Sequence, residues 1–441
     1  MIDLRRWCGG LVDRARKDGA VAAEAALTHT ETRTLSGRKE ASRPPSTQTV
    51  ATTRVFLEDG RAGTASRVIQ TEADAEQVLL DAFGLAATAA ADPADLPAER
   101  RDIPTMGLQI ADPRATRLSD NDRRDVIAFN EDGARSAGKG AQITSLVYEE
   151  VHTRRAVLTS RGLDGLEFGT RFLVRGTARP LSAPEIEVSG TVESRRFADA
   201  ASMPLGVDLA RRALALATAQ TFPDKVLPVV LEPRIIAPLL QRVAAAFDAD
   251  RIEAGASFLP ARALHEAVPI GSTRLHLVDD ASLPGALETR GFDDRGVSPM
   301  PLPLIREGSS GALYRGPRAA NRAGTRPTGH VGVADAVWTG NLVLRPGGRS
   351  RNMMFPDVGR YLLVDEVLSW SGLDIQTGRL SLPVRLGLGE QGHTLGGLGT
   401  AILEGSLTGL FHGIREMASD TERHGAVDGC TWVVDGLTVR R

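Results

Sequence analysis

Cysteine is almost missing from this chain, with two in 441 residues, Cys8 and Cys430, at opposite ends. They form no CxxC pair and no disulfide framework, a usage that fits a reducing compartment. A basic surplus is missing too: 53 Lys and Arg stand against 55 Asp and Glu, a net charge of −2. Phosphate backbones are bound through surplus Lys and Arg, so this balance speaks against nucleic acid as a direct partner. No apolar run approaches the roughly 18 residues of a membrane span, and the opening "MIDLRRWCGGLVDRARKDG" carries charges throughout instead of an apolar signal core. The expectation is a cytoplasmic protein with no membrane partner. Aromatic residues make up only 4%, whereas glycine (46 residues) and alanine are abundant, as in many proteins from high-GC bacterial genomes.

What is present is enough for two or three packed units, because 441 residues at 42% hydrophobic content exceed one ordinary core. The first helix ends at Gly19, and "VAAEAALTHTETRTLSG" then reads as a period-two strand. Asp59-Gly60 marks a hairpin turn inside "TQTVATTRVFLEDGRAGTAS". A capping box, Thr71 with Asp74, opens a helix over residues 71–90. A Pro-rich connector, "ADPADLPAERRDIPT", follows.

From Ser119 the pattern resembles the first unit: a charged helix, then strands in "AQITSLVYEEVH", "RRAVLTS", "TRFLVRG" and "EIEVSGTVESRRF", then a helix near 206–221. Pro223 is read as the break that ends this helix. The expected division is 1–221, with sub-units 1–92 and 110–221, and 222–441. The fold class is α+β: a mixed first half with antiparallel sheets and helices, and a strand-rich second half with a curled antiparallel sheet or partial barrel. The second half opens on "LPVVLEPRIIAPLLQRVAAAFDAD", a buried strand running into a strong helix.

The chemical motifs are mostly coincidental. His265-Glu266 looks like the start of a zinc-peptidase helix, but Pro269 and Ile270 stand where the second histidine would be. "GLGEQG", residues 387–392, matches GxGxxG, yet three more glycines follow where a dinucleotide site needs a helix. His29, His152, His265, His276, His330, His393, His412 and His424 include no pair at ligand spacing. His330 stands out for its glycine-flanked turn, "PTGHVGV". The pairs Asp279-Asp280 and Asp293-Asp294 lack the alternating oxygens of a calcium loop and read as solvated turns.

Longer passages carry a family resemblance. "LHLVDDASLPGALETRGFDDRGVSPMPLPLIREGSSGALYRGPRAANRAG", "TGNLVLRPGGRS", "GRYLLVDEVL" and "DIQTGRLSL" occur in that order in the second half, and "RVFLEDGRAGTAS" in the first. Together they resemble the TldD/TldE (PmbA) family, also called modulators of DNA gyrase. In that family TldD-type subunits carry HExxxH on the helix after the first strand of the second half, plus a later cysteine, and bind the catalytic zinc. TldE-type subunits share the fold without those ligands. Here the six motif positions hold Gln241, Arg242, Val243, Ala244, Ala245 and Ala246. Gln241, Arg242 and Ala246 thus replace the ligands and the general base, and none of them can supply imidazole to zinc or a carboxylate to water. Cys430 lies later than the family's ligand cysteine. "GEQGHTLGGLG" and His330 also depart from the usual TldE pattern.

The resemblance implies a zinc-free, non-catalytic TldE/PmbA-like subunit with no catalytic, cofactor or metal residue of its own. Its partner would be a TldD-like, HExxxH-bearing subunit that holds the zinc, and its substrate an extended peptide or isopeptide. Gly329, His330, Gly340 and Asn341, at glycine-rich strand ends, are the candidates for touching substrate or partner. Two other readings stand beside it: an active homodimeric hydrolase with an unrecognised site, and a non-proteolytic adaptor that binds gyrase or a carrier protein.

Overall fold

A computed structural model of the chain describes residues 3–37, 44–95, 97 and 107–441. The first half forms one six-stranded antiparallel sheet. In spatial order its strands are Ala62–Ile69, Ser46–Phe56, Ala22–Ser36, Ala141–Thr159, Asp164–Pro180 and Val188–Ser194. The two αβ units expected from the sequence therefore share a sheet, joined where Ala22–Ser36 pairs antiparallel with Ala141–Thr159.

Local signals explain its boundaries. Gly60 has φ +80° in the turn between the second and third strands. The Thr71–Asp74 capping box closes in both directions and starts the helix Glu72–Thr88. Ser119 and Asp122 do the same for the helix Asp120–Ala137. The connector over 91–105 lies largely outside the described residues.

Alternation along Ala22–Ser36 sends Ala23, Ala25 and Leu27 to one face. There they pack with the helices Leu4–Lys17 and Glu72–Thr88. Farther along, Leu35, Tyr148, Phe172 and Val174 pack with Asp120–Ala137 and Leu205–Leu216. The last of these helices is shorter than the sequence suggests and does not run to Pro223. Its successors, residues 218–220, pair with Gly397 instead: Gly397 N–H donates to the Thr218 carbonyl, and Gln220 N–H to the Gly397 carbonyl, both at 2.8 Å. A long-range backbone ladder thus outcompetes helix propensity.

The second half holds two open sheets, neither closed into a barrel. One runs Ile414–Met417, Trp432–Val434, Val229–Leu231, Arg360–Val367, Arg379–Glu390, His393–Ser406 and Thr438–Arg440. The other runs Ser309–Ser310, Leu302–Arg306, Leu277–Asp279, Leu342–Leu344, Val427–Gly429 and Glu422–His424. Most neighbours are antiparallel, as expected for α+β. Two pairs are parallel: Arg360–Val367 with Val229–Leu231, and Leu342–Leu344 with Val427–Gly429. "GLGEQG" forms the end of one strand and the hairpin turn at Gln391-Gly392.

Ion pairs join the halves. Arg295 pairs with Glu24 on the first sheet, both buried, and the buried Arg54 binds the exposed Asp335 of the second half. Among the described residues no helix is long and apolar enough to cross a membrane.

Candidate functional site

The strand Val229–Leu231 is central in its sheet, and the chain turns at Glu232 into the helix Pro233–Ala244. Proline at the first helical position costs no hydrogen bond and presets φ. Ile235, Ile236, Leu239, Leu240 and Val243 form the helix's buried stripe and join the largest core of the molecule. Gln241 and Arg242 lie on the exposed side. The Arg242 guanidinium stacks 4.7 Å over the Trp370 ring and donates to the Pro238 carbonyl at 2.9 Å. Ala246 falls beyond the helix, in the 3-10 turn Ala245–Phe247, and is fully buried. Its carbonyl accepts from Ser257 at 2.7 Å.

Gln241 faces a cleft of about 710 Å³ between the two halves. Charged side chains from six distant segments line it. Asp365 is held by Arg212 (2.9 and 3.0 Å) and by Arg234 (3.1 Å). Glu232 is held by Arg234 and, at 2.5 Å, by Arg351. Glu366 pairs with Arg385, and His424 lies 3.3 Å from Glu422. Burial pushes the Asp365 carboxyl up, but Arg212 and Arg234 outweigh it and leave it below the ordinary carboxylate range. Glu232 is lowered in the same way by Arg234 and Arg351 against its burial. These carboxylates stay ionised at neutral pH, so they can orient a charged or hydrogen-bonding ligand but offer no proton to a leaving group.

Zinc does not fit these positions. At Gln241, Arg242 and Ala246 an amide, a guanidinium and a buried methyl supply neither imidazole nor carboxylate, and the guanidinium would repel a dication. His424 and Glu422 are a donor pair that lines the cleft. Among the described residues no group of three or more His, Cys, Asp or Glu is placed to hold a metal. Cys430 is fully buried, and burial pushes its thiol up to about 12.

The other candidates gather around Asp279. Gly340 N–H and the Tyr314 hydroxyl donate to Asp279 Oδ2 at 2.8 and 2.6 Å. His330 is buried between Tyr314 and Trp338, with Nδ1 2.9 Å from the Thr328 carbonyl and Nε2 3.8 Å from Asp279 Oδ1. Asn341 accepts from Glu288 N–H at 2.9 Å and donates to the Asp280 carbonyl at 3.0 Å. Gly329, at φ +76°, packs against Ser298 and Pro299, and Gly340 against Ala281. The close backbone approach foreseen at these glycines is therefore made by the chain's own segments.

The first residue of each acidic pair is not a solvated turn residue, and for those two the expectation is corrected; Asp280 does cap an exposed turn, accepting from Ser282. Asp279 and Asp293 are fully buried. Asp293 accepts three backbone N–H groups, from Arg295, Val297 and Val331, and such inward bonds replace water. Burial still pushes its carboxyl up to about 6. His265-Glu266 follows a 3-10 turn on the surface and joins none of this.

The sequence reading missed Arg212, Glu232, Arg234, Arg351, Asp365, Trp370, Glu422 and His424. Asp365 fell within the quoted "GRYLLVDEVL", Glu232 and Arg234 within "LPVVLEPRIIAPLLQRVAAAFDAD", and His424 was named among the histidines, all without a role in a cleft. No spacing rule links segments more than 200 residues apart.

Comparison with known proteins matches this architecture. Residues 224–441 fit the PmbA/TldA metallopeptidase C-terminal domain. A metalloprotease of Synechocystis sp. is 24% identical over 224 residues, covering 50% of this chain. The match spans about half of that relative, 48% of its length. Among solved structures, a protein described as a modulator of DNA gyrase from Thermotoga maritima has a TM-score of 0.83 at 19% identity, over 98% of this chain and 99% of that one. TldE from Thermococcus kodakarensis has a TM-score of 0.81 at 17% identity, over 99% of this chain and 100% of that one. Residues 224–441 thus form a C-terminal domain of the PmbA/TldA metallopeptidase family, and the whole chain shares the fold of these solved structures.

Proposed function

We propose that this chain is a non-catalytic, TldE/PmbA-like subunit of a two-chain zinc metallopeptidase. A TldD-type partner would contribute the HExxxH helix, the zinc and the general base. This chain would complete the path of an extended peptide or isopeptide substrate, by strand addition or through its cleft, in the maturation of a peptide or natural product in the cytoplasm. One observation carries the reading: the helix Pro233–Ala244 keeps its buried stripe against the core, yet turns Gln241 to the cleft and stacks Arg242 on the cleft residue Trp370. On this reading Gly329, His330, Gly340 and Asn341 shape the substrate path by holding the segment that bears Trp338 and Glu288.

Co-expression with an HExxxH-bearing homologue from the same genome tests the proposal. The expected result is a 1:1 complex with one zinc, and peptide hydrolysis only by the pair. Stoichiometric zinc or hydrolysis in this chain alone would instead favour the self-sufficient hydrolase. Capture of gyrase or a carrier protein, without any TldD-type homologue, would favour the adaptor. Asn341→Ala should slow hydrolysis by the pair while the partner's zinc content is unchanged; loss of that zinc contradicts the assigned role.

A further inference from the structure

The face of the first sheet opposite its helices is not fully covered. Alternate residues of three strands, among them Thr28, Thr30, Val151, Thr153 and Leu173, line a groove of about 640 Å³. The facing wall comes from the second half, with Leu287, Val337 and Trp338. The groove is thus largely apolar and bounded by strands, but four arginines reach into it: Arg155, Arg171, Arg195 and Arg290.

Their counter-charges are unevenly shared. Arg171 pairs with Glu288, and Glu288 is also bound by the Trp338 indole N–H at 3.0 Å. Asp294 lies 3.3 Å from Arg155 and 3.8 Å from Arg290, and Glu167 lies 3.6 Å from Arg155. Arg155 is 4% exposed, yet its Nε and Nη1 make no hydrogen bond. Arg290 stacks 4.2 Å over the Trp338 ring. Among the described residues Arg195 has no carboxylate within 4.0 Å and reaches carbonyl oxygens, those of Ala286, Thr170 and Thr289, at 3.2 to 3.4 Å. Burial pushes its guanidinium down to about 10; Glu288 opposes that, and Arg171 and Arg290 add to it. It remains charged at neutral pH, and the groove's carboxylates, Glu288 among them, act on it only from beyond pairing distance among the described residues.

We propose that this groove binds an extended, mainly apolar peptide segment through one carboxylate side chain, with Arg195 as its counter-charge and Arg155 as second donor. A planar carboxylate matches the guanidinium fork. A phosphate dianion fits less well, because Glu167, Glu288 and Asp294 line the same space. The apolar wall and Trp338 accept the flanking side chains. The inference concerns this chain alone and does not depend on a zinc-bearing partner.

Calorimetric titration of the full chain with two capped pentapeptides, Val-Val-Glu-Val-Val and Val-Val-Gln-Val-Val, tests it. The Glu peptide should bind about tenfold or more tightly, the worth of one charge-assisted hydrogen-bonded pair. Equal affinities overturn the proposal before any variant is made. Arg195→Gln should bring the ratio close to one with little change for the Gln peptide; a preference that survives places the carboxylate elsewhere. Should that variant fail to fold, Trp338→Phe locates the site, since it should abolish the fluorescence change on binding. A fluorescence change that persists in Trp338→Phe counts against this groove. Inorganic phosphate competing at lower concentration than acetate would overturn the carboxylate assignment.

Discussion

Glu150 shows how a single buried charge can be both sheltered and costly. It sits on the central strand Ala141–Thr159 and accepts from Arg123 Nε at 2.8 Å, from the Tyr148 hydroxyl at 3.1 Å and from His152 at 2.6 Å. Burial pushes its carboxyl up, but the hydrogen bonds from His152 and Arg123 outweigh this and hold it at about 2. The folded pKa lies below the ordinary 4.5, so its contribution is present above pH 4.5 and is lost as pH falls toward 2. Glu150→Gln is expected to cost roughly 3 kcal/mol at pH 7 and to flatten that part of the acid limb, as read by urea denaturation across pH. Asp293 has the opposite sign: its raised pKa makes folding less favourable as pH rises from about 4 to 6. Asp293→Asn should therefore weaken the pH dependence of stability in that window. Residue character alone revealed neither effect, since each depends on which groups the fold brings near.

At the scale of elements, helix starts were legible because they are local. Thr71 and Ser119 cap within three residues; the Thr71 capping box forms as read from the sequence, and the structure adds a second at Ser119. Thr71→Ala should lower stability by about 1 kcal/mol, visible as a small loss in thermal midpoint. Helix contacts were not legible. The helices Asp120–Ala137 and Leu205–Leu216 meet at Gly206, where a Cβ would overlap the Asn130 carbonyl oxygen. Asn130 Oδ1 also accepts from Gly206 N–H at 2.9 Å. Gly206→Ala should force the helices apart and cost about 1–3 kcal/mol or more, exceeding the gain in helix propensity of at most about 1 kcal/mol. A thermal midpoint no lower than wild type would contradict this contact. Similarly, the end of Leu205–Leu216 was misplaced because the residue that stops it, Gly397, lies 180 positions away.

Across the whole molecule, the halves are joined by few but deeply buried charges. Asp365 ties Arg212 of the first half to Arg234 of the cleft helix. Asp365→Ala takes the shared buried carboxylate from two guanidiniums, leaving Arg234 with Glu232 and Arg212 with the exposed Asp208, and is expected to destabilise by about 3 kcal/mol. The same change opens the cleft beside Gln241, so peptide hydrolysis by the proposed pair should fall as well. Replacement by Asn, which restores hydrogen bonds but not charge, should recover part of the stability.

The sequence by itself determined the α+β class, the helix starts, the Asp59-Gly60 turn and a cleft helix, Pro233–Ala244, that holds no His or Glu. Each is written in residues a few positions apart, where propensity, capping and alternation act. Only the tertiary structure decided that Asp279 and Asp293 are buried acceptors and not solvated turns, that two αβ units share one sheet, and that Arg212, Glu232, Arg351, Asp365 and Glu422 face a common cleft. Burial and charge compensation depend on distances through space, and chain positions alone do not encode them in any local pattern.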